Sequence, residues 1–247
     1  MKELSAAQSI EIRVNDLCSL SAARGRAVFT PFLNEQEQFF AEQLLIKRGD
    51  MPFCFWGGDE TCIRKMLRVS AYGDEEDFPI FPITFTFRKA YKLEHRDFLG
   101  SFMALGIKRE MIGDIFTGEG YAAVFCTKTA RDVILDGISR VGRVGVKITE
   151  GLTVSLPKPE FSEVTVLAAS LRADCIIAGL TGLSREKTAE FIKAGNFTLN
   201  YSQCMDISKN LAPGDIFSLR GYGKFSFSGE TAQTKKGRLR VELKKYS

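Results

Sequence analysis

A single histidine, His95, stands in the 247-residue chain, which excludes a histidine-rich metal centre. The six cysteines, Cys18, Cys54, Cys62, Cys126, Cys175 and Cys204, include no Cys-x-x-Cys pair. Scattered thiols in a chain of this length read as reduced core residues, not as a disulfide framework or a zinc site. No apolar run approaches the ~18–20 residues that a membrane span needs. The N-terminal stretch MKELSAAQSIEIRVNDL is amphipathic and lacks the apolar centre of a secretory signal. There is no internal repeat. These absences lead us to expect a cytoplasmic protein with no membrane partner, no metal and no cofactor.

What is present is an ordinary globular composition, with 45% hydrophobic and 26% charged residues. Its charge is unevenly placed. From Arg172 to the end there are 13 Lys/Arg against 7 Asp/Glu, while the preceding residues carry 21 against 23. The excess is steepest in TKKGRLRVELKKYS, with six basic residues and one acidic. A surplus gathered in one segment is the electrostatic signature of a polyanion-binding module. A solvated basic tail that aids solubility is the plainer reading of the same residues.

The chain divides into three stretches. Residues 1–76 read as a helical N-terminal region. Asn34 with Glu37 forms a capping box there, Phe40 and Leu44 share a helix face, and Gly49 supplies a left-handed cap. The run MPFCFW is a strand or extended segment leading into Gly57-Gly58, and GDEEDFP is a polar join. Residues 77–165 change period: strand IFPITFTF, helix HRDFLGSFMALGI, strands DIFT and YAAVFCT around Gly118 and Gly120, helix TARDVILDGISRVG, and closing strand material in VGVKITEGLTVSL. In the first of these helices Leu99, Met103 and Leu105 are expected to pack inward, with His95 or Asp97 as the cap. In the second, Val133, Ile134 and Ile138 are expected on the inner side. The order β-α-β-β-α-β is the ferredoxin-like arrangement. Residues 171–247 open with two short helical patterns, RADCIIAGLTG and SREKTAEFIKAG, followed by strands in FTLN and from Gly214 to Phe227. The fold class is α+β.

Chemistry-bearing residues concentrate in the last stretch. Ser184 is an N-cap, and Arg185 lies on the same helical face as Ala189 and Ile192, beside Thr188. Its guanidinium must therefore pass the end of the helix. There it either meets a phosphate near the free N–H groups or remains solvated above its packed stem. In the middle stretch His95-Arg96-Asp97 imitates a kinase catalytic loop, but Phe102 occupies the position of the required Asn and no Gly-rich loop or D-F-G exists. Lys108, Arg109 and Asp114 form either a basic loop facing RNA or a solvated turn. The stretch from Arg220 to Phe227 fits much of an RNA-stacking aromatic motif, with Lys224 in place of its fifth-position Phe, and leaves Tyr222 as a candidate stacking ring. Gly237-Arg238-Leu239-Arg240 lacks the catalytic Asp of a pseudouridine synthase.

Residues 172–220 resemble an S4 domain: two short helices, Ser-Arg opening the second, Gly after it, a strand ending in Asn, then Gly-Asp and a closing strand. The resemblance implies an RNA-binding surface on Arg172, Ser184, Arg185, Lys187, Lys193 and Asn200. The basic residues Arg220, Lys224, Lys235, Lys236 and Arg238 extend this candidate RNA-binding set. Tyr201 stands where many S4 domains carry Gly, a departure that would open or reshape the turn. The likeness runs further. PFLNEQEQF, FWGG, HRDFLGSFMALGIKREMIGDI and GDIFSLRGYGKF, in this order, resemble bacterial YlmH-type S4-domain proteins over almost the whole chain. Asp59 and Ile63 depart from that pattern. The resemblance implies a non-enzymatic RNA-binding protein in ribosome quality control, engaging a large ribosomal subunit that carries an obstructed peptidyl-tRNA. Its expected partners are rRNA and/or tRNA, with the protein a monomer off the ribosome. The alternative is an RNA-modifying enzyme that uses the S4 domain for delivery.

Overall fold

In the computed structural model of the protein, residues 5–73, 76–157, 161–234 and 237–246 are described. The chain forms two compact units, Met1–Lys158 and Pro159–Ser247.

The first unit opens with α1 (Ala6–Arg24), β1 (Val28–Phe29), α2 (Glu35–Arg48), β2 (Phe53–Trp56) and β3 (Met66–Val69). Both helices are set by their ends. Asn34 Oδ1 accepts from Glu37 N at 2.9 Å and Glu37 Oε2 accepts from Asn34 N at 2.8 Å, so two otherwise unpaired donors are satisfied reciprocally. Gly49 closes α2 in the left-handed region at φ 68°. Ile10, Val14, Leu17 and Cys18 make the inner stripe of α1 and pack with Ala41 and Leu45 of α2. The region is not helical alone. The strands form an antiparallel sheet in the order β1-β3-β2, and its Leu67 and Val69 complete the core beneath the helices. Local sequence conceals this sheet because β1 has only two residues and Arg68 interrupts the apolar run of β3.

The same unit continues with β4 (Phe81–Thr86), α3 (His95–Ala104), β5 (Ile112–Gly118), β6 (Tyr121–Cys126), α4 (Lys128–Gly137), a hairpin of β7 (Arg140–Val141) and β8 (Val144–Gly145), and β9 (Lys147–Glu150). Its four-stranded sheet has the order β5-β6-β4-β9, with every neighbouring pair antiparallel. Phe85, Phe98, Phe102, Ile112, Val124 and Ile134 are fully buried between sheet and helices. Asp97 caps α3 by accepting from Glu94 N at 2.8 Å. The inner stripe, however, is Phe98 and Phe102, four residues apart, while Met103 and Leu105 are exposed. In α4 the buried residues are Ala130 and Ile134; Val133 faces outward, and Ile138 is buried just beyond the helix. In both helices the i, i+4 pair that meets the sheet sets the rotation.

The second unit contains β10 (Phe161–Ala168), α5 (Ala173–Thr181), α6 (Arg185–Lys193), β11 (Phe197–Leu199), β12 (Ser202–Gln203), β13 (Ile216–Leu219), β14 (Gly223–Gln233) and β15 (Leu239–Tyr246). Six strands lie in the order β10-β15-β14-β13-β11-β12. Ile176, Ile177 and Ile192 of the helices pack on Phe197, Phe217, Phe225, Phe227, Val241 and Leu243 of the sheet. A Cβ at Gly179 would overlap Val166 Cγ1, so a residue without a side chain is what lets α5 lie close against β10.

The basic C-terminal segment is therefore not a tail. β15 lies inside the sheet, paired with β10 from Leu239 to Tyr246 and with β14 on its other side. Val241 and Leu243 face the core while Arg240, Glu242 and Lys244 face solvent, the period-2 alternation of a half-buried strand. Not every thiol is a core residue either: Cys18, Cys62 and Cys126 are buried, Cys175 and Cys204 partly so, and Cys54 is exposed.

Candidate nucleic-acid interface

The start of α6 follows from its sequence. Ser184 takes extended backbone angles and its Oγ accepts from Lys187 N at 3.3 Å, a standard N-cap contact. Arg185 and Lys187, the first and third helical residues, are both exposed. The buried stripe is Thr188 and Ile192; Arg185, three and seven residues earlier, lies on the same side one turn before it, with its side chain exposed past the helix start as the helical wheel implied. Two cations thus stand in the turn whose unpaired N–H groups already favour an anion. Lys193 is also exposed, but eight residues on, at ~1.5 Å per residue it lies roughly 12 Å further along the helix.

Arg172 differs. It precedes α5, and its Nε and Nη2 donate to Asp174 Oδ1 and Oδ2 at 3.0 and 2.9 Å. Burial pushes the Asp174 carboxyl up, but the Arg172 hydrogen bond and charge outweigh it and hold the group below its usual range. The guanidinium is therefore engaged in a bidentate pair that orients the entry into α5.

Asn200 is a turn residue. It donates through Nδ2 to Asp215 Oδ1 at 2.8 Å and accepts at Oδ1 from Ile216 N at 3.0 Å, tying the β11–β12 turn to the start of β13. Asn200 and Tyr201 both have positive φ, 46° and 63°, and Leu199 pairs directly with Ser202. This is a two-residue hairpin turn of the primed kind. Tyr201 therefore does not open the turn; it adopts the left-handed conformation at a cost of ~1 kcal/mol. Its ring lies 5.2 Å from Lys224 Nζ, and that of Tyr246 lies 4.7 Å from the same ammonium on the other strand. From sequence Tyr201 is marked only as a turn residue and Tyr246 not at all, because only strand pairing brings residues so far apart to one lysine.

The remaining candidates separate. Arg220 is exposed in the β13–β14 turn, where its backbone N donates to Asn196 O at 3.0 Å. Tyr222 is partly buried and packs edge-on against Phe191 at the margin of the core, with ring centroids 6.0 Å apart. Arg238 is exposed at the opposite end of β14, where its N donates to Thr234 Oγ1 at 3.0 Å. At ~3.3 Å per residue that end lies about 30 Å from Lys224. Lys235 and Lys236 fall outside the described residues. Counted over Pro159–Ser247, the unit carries 13 basic and 9 acidic residues, so the chain's whole excess of +4 resides in it.

In the first unit the Lys108–Arg109–Asp114 cluster is no loop presented to solvent. Asp114 Oδ2 accepts from Ile63 N and Arg64 N at 2.6 and 2.8 Å, and Arg109 Nη1 donates to Ile112 O at 2.6 Å. Arg64 donates through Nε to Ile112 O at 3.2 Å and through Nη2 to Phe32 O at 3.0 Å. Burial, and then the like charge of Arg64, pull the Arg109 guanidinium down to about 10, while burial pushes the Asp114 carboxyl up. Of Lys108, Arg109 and Asp114 only Lys108 is exposed. This network clamps the loop after Gly58 onto β5. Burial likewise pushes the Cys62 and Cys126 thiols up to about 12, far from thiolate chemistry.

A family model described as "Putative RNA-binding domain in YlmH" matches residues 74–154. Over 228 residues the chain is 27% identical to the Ribosome-associated protein quality control protein P2 of Bacillus subtilis (strain 168), covering 89% of this chain and 88% of that protein. The solved structure of the Cell division protein ylmH from Streptococcus pneumoniae covers 62% of this chain and 95% of its own, with a TM-score of 0.53 at 18% identity. That likeness is one of fold. Among the described residues no helix is long and apolar enough to cross a membrane. The family model and the Bacillus subtilis relative point the same way as the fold likeness: the chain is similar to YlmH-type proteins over most of its length.

Proposed function

We propose that the protein is a non-enzymatic, cytoplasmic RNA-binding factor of ribosome-associated quality control, acting on a large subunit that carries a stalled peptidyl-tRNA. The second unit is read as an S4 domain built on α5, α6 and the strands that follow. The β4-to-β9 part of the first unit is read as a ferredoxin-like domain, a reading supported by its strand order and its antiparallel pairs. The role named for the Bacillus subtilis relative supports the ribosomal setting. The observation that carries the proposal is the first turn of α6, where exposed Arg185 and Lys187 flank an N-capped helix end in the unit that holds the chain's positive excess. Arg220 and Lys224 extend the phosphate-binding surface.

Filter binding to ribosomal RNA, with melting temperatures on the same samples, tests it. Arg185→Lys keeps the charge and loses the planar fork, so it is expected to weaken binding a few-fold. Arg185→Glu reverses the local field and is expected to cost tenfold or more, with melting unchanged because the side chain is exposed. Wild-type affinity in a folded Arg185→Glu protein would remove α6 from the interface.

Salt supplies a further check. With ~5–6 phosphate contacts, log affinity should fall against log salt with a slope of roughly −4 to −5. An affinity nearly flat from low to physiological salt would contradict a phosphate-led interface.

A further inference from the structure

The first unit contains a cleft of about 430 Å³ lined by residues of its three- and four-stranded sheets, none of them a member of the Arg64–Asp114 clamp. One side is the outer face of β2 and β3. Burial alternates along β2 so that Cys54 and Trp56 point outward, and Arg68 of β3 is the cross-strand partner of Cys54. The other side is formed by Phe78, leading into β4, and by Phe125 of β6. The wall closes at Gly58, which has φ +104°, and where a Cβ would overlap the Phe125 ring. Any other residue there would push the two sheets apart.

The lining has a definite chemistry. Trp56, the chain's one tryptophan, is 37% exposed and presents its indole to the cleft. Arg68 is held in place: its guanidinium carbon lies 5.5 Å from the centre of the Phe78 ring, and Nη1 donates to Glu76 O at 2.9 Å. Asp77, exposed, adds a carboxylate to the same lining. An exposed aromatic plane, a fixed planar cation and a carboxylate acceptor are together the requirements of one nucleotide. The plane stacks on a base, the cation meets its phosphate, and the carboxylate accepts from an amine on the base edge. The volume lies within the ~300–1,000 Å³ usual for small-molecule sites.

We propose that this cleft takes a single unpaired base of an RNA strand, stacked on Trp56, with its backbone phosphate at Arg68 and an exocyclic amine turned toward Asp77. The proposal rests on the RNA-binding reading above and adds to it a site in the other unit, specific for base type. Because uracil has no exocyclic amine, adenine, cytosine and guanine are preferred to it.

Trp56 reports its own occupancy. Its emission in the full chain is followed while AMP, CMP, GMP, UMP and five-nucleotide strands of A or of U are added, with RNA binding measured independently by filter retention. The A strand is expected to quench saturably and to bind about tenfold more tightly than the U strand, the scale of one well-placed polar contact. Arg68→Gln should weaken the A strand about tenfold, and Asp77→Ala, which removes the acceptor, should erase the preference over U while leaving the melting temperature unchanged. Protection of the exposed Cys54 thiol from alkylation by the A strand, and not by the U strand at equal concentration, would add support. Unchanged Trp56 emission in a protein that retains RNA on the filter overturns the cleft proposal alone. AMP acting as strongly as the A strand also overturns it, because the cleft would then be a site for a free nucleotide. A protein that retains no RNA defeats the parent reading and this proposal together.

Discussion

A fragment beginning at Leu171 is expected to lose cooperative folding, whereas one beginning at Pro159 should melt as a single unit. The difference is β10. It pairs with β15 at eight successive positions, Phe161 opposite Tyr246 through Ala168 opposite Leu239. It also contributes Val166 and Ala168 to the buried core and receives α5 at Gly179. Removing it exposes Val166's cavity, strips the ladder from one side of β15, and leaves the basic segment as a new sheet edge. At ~1.5–3 kcal/mol for a buried aliphatic side chain, with lost ladder bonds at about 1 kcal/mol each, the cost is on the order of 5 kcal/mol or more. That matches the whole stability of a small domain, ~5–15 kcal/mol. Urea titration of the two fragments, followed by far-UV circular dichroism, tests it, and coincident midpoints would show that β10 is dispensable. On the proposed function, the fragment from Pro159 should also retain most of the full chain's RNA affinity, and 1–158 little of it.

Asp114 should show an equally large effect, in the other unit. One carboxylate oxygen accepts from both Ile63 N and Arg64 N, and the half-buried guanidinium groups of Arg64 and Arg109 lie near it. Asp114→Ala leaves both backbone donors without that acceptor and should cost about 2–4 kcal/mol. Asp114→Asn keeps an acceptor oxygen, so it is expected to remain within ~1 kcal/mol of wild type at neutral pH. Burial already pushes the Asp114 carboxyl above its ordinary range and outweighs the hydrogen bonds and arginine charges that favour ionisation. The folded state thus holds this proton more tightly than the unfolded state does. Asp114's stabilising contribution is complete below the unfolded carboxylate pKa and is lost as pH rises through the raised folded value. Wild type should therefore lose stability relative to Asp114→Asn over that interval. Denaturant midpoints for the three proteins at several acidic and neutral pH values would check both claims, and equal losses for Asn and Ala would show that charge, not the acceptor, holds the loop.

The sequence by itself determined what depends on near neighbours. Asn34 with Glu37, Ser184, and the left-handed glycines Gly49, Gly182 and Gly195 mark helix ends because capping is satisfied within three or four residues. The β4-to-β9 order was legible for the same reason: each element has its own hydrophobic period and turn. Pairing between distant strands was not. TKKGRLRVELKKYS reads as a solvated tail by charge, although its Leu-Arg-Val-Glu-Leu alternation carried the strand signal. That it lies between β10 and β14 was decided only when Val241 and Leu243 found the core shared with Phe225 and Phe227.

The same division runs through the candidate site. Sequence located the exposed cations at the start of α6, because a cap and a helix phase suffice to place them. Tertiary structure assigned Arg172 to Asp174, placed Tyr222 against Phe191, and drew Arg109 and Asp114 into an internal clamp. It also opened a cleft lined from two sheets, with Trp56 and Phe125 in its walls. A charged side chain's partner is set by whichever acceptor packing brings within about 3 Å, and no local pattern encodes that distance.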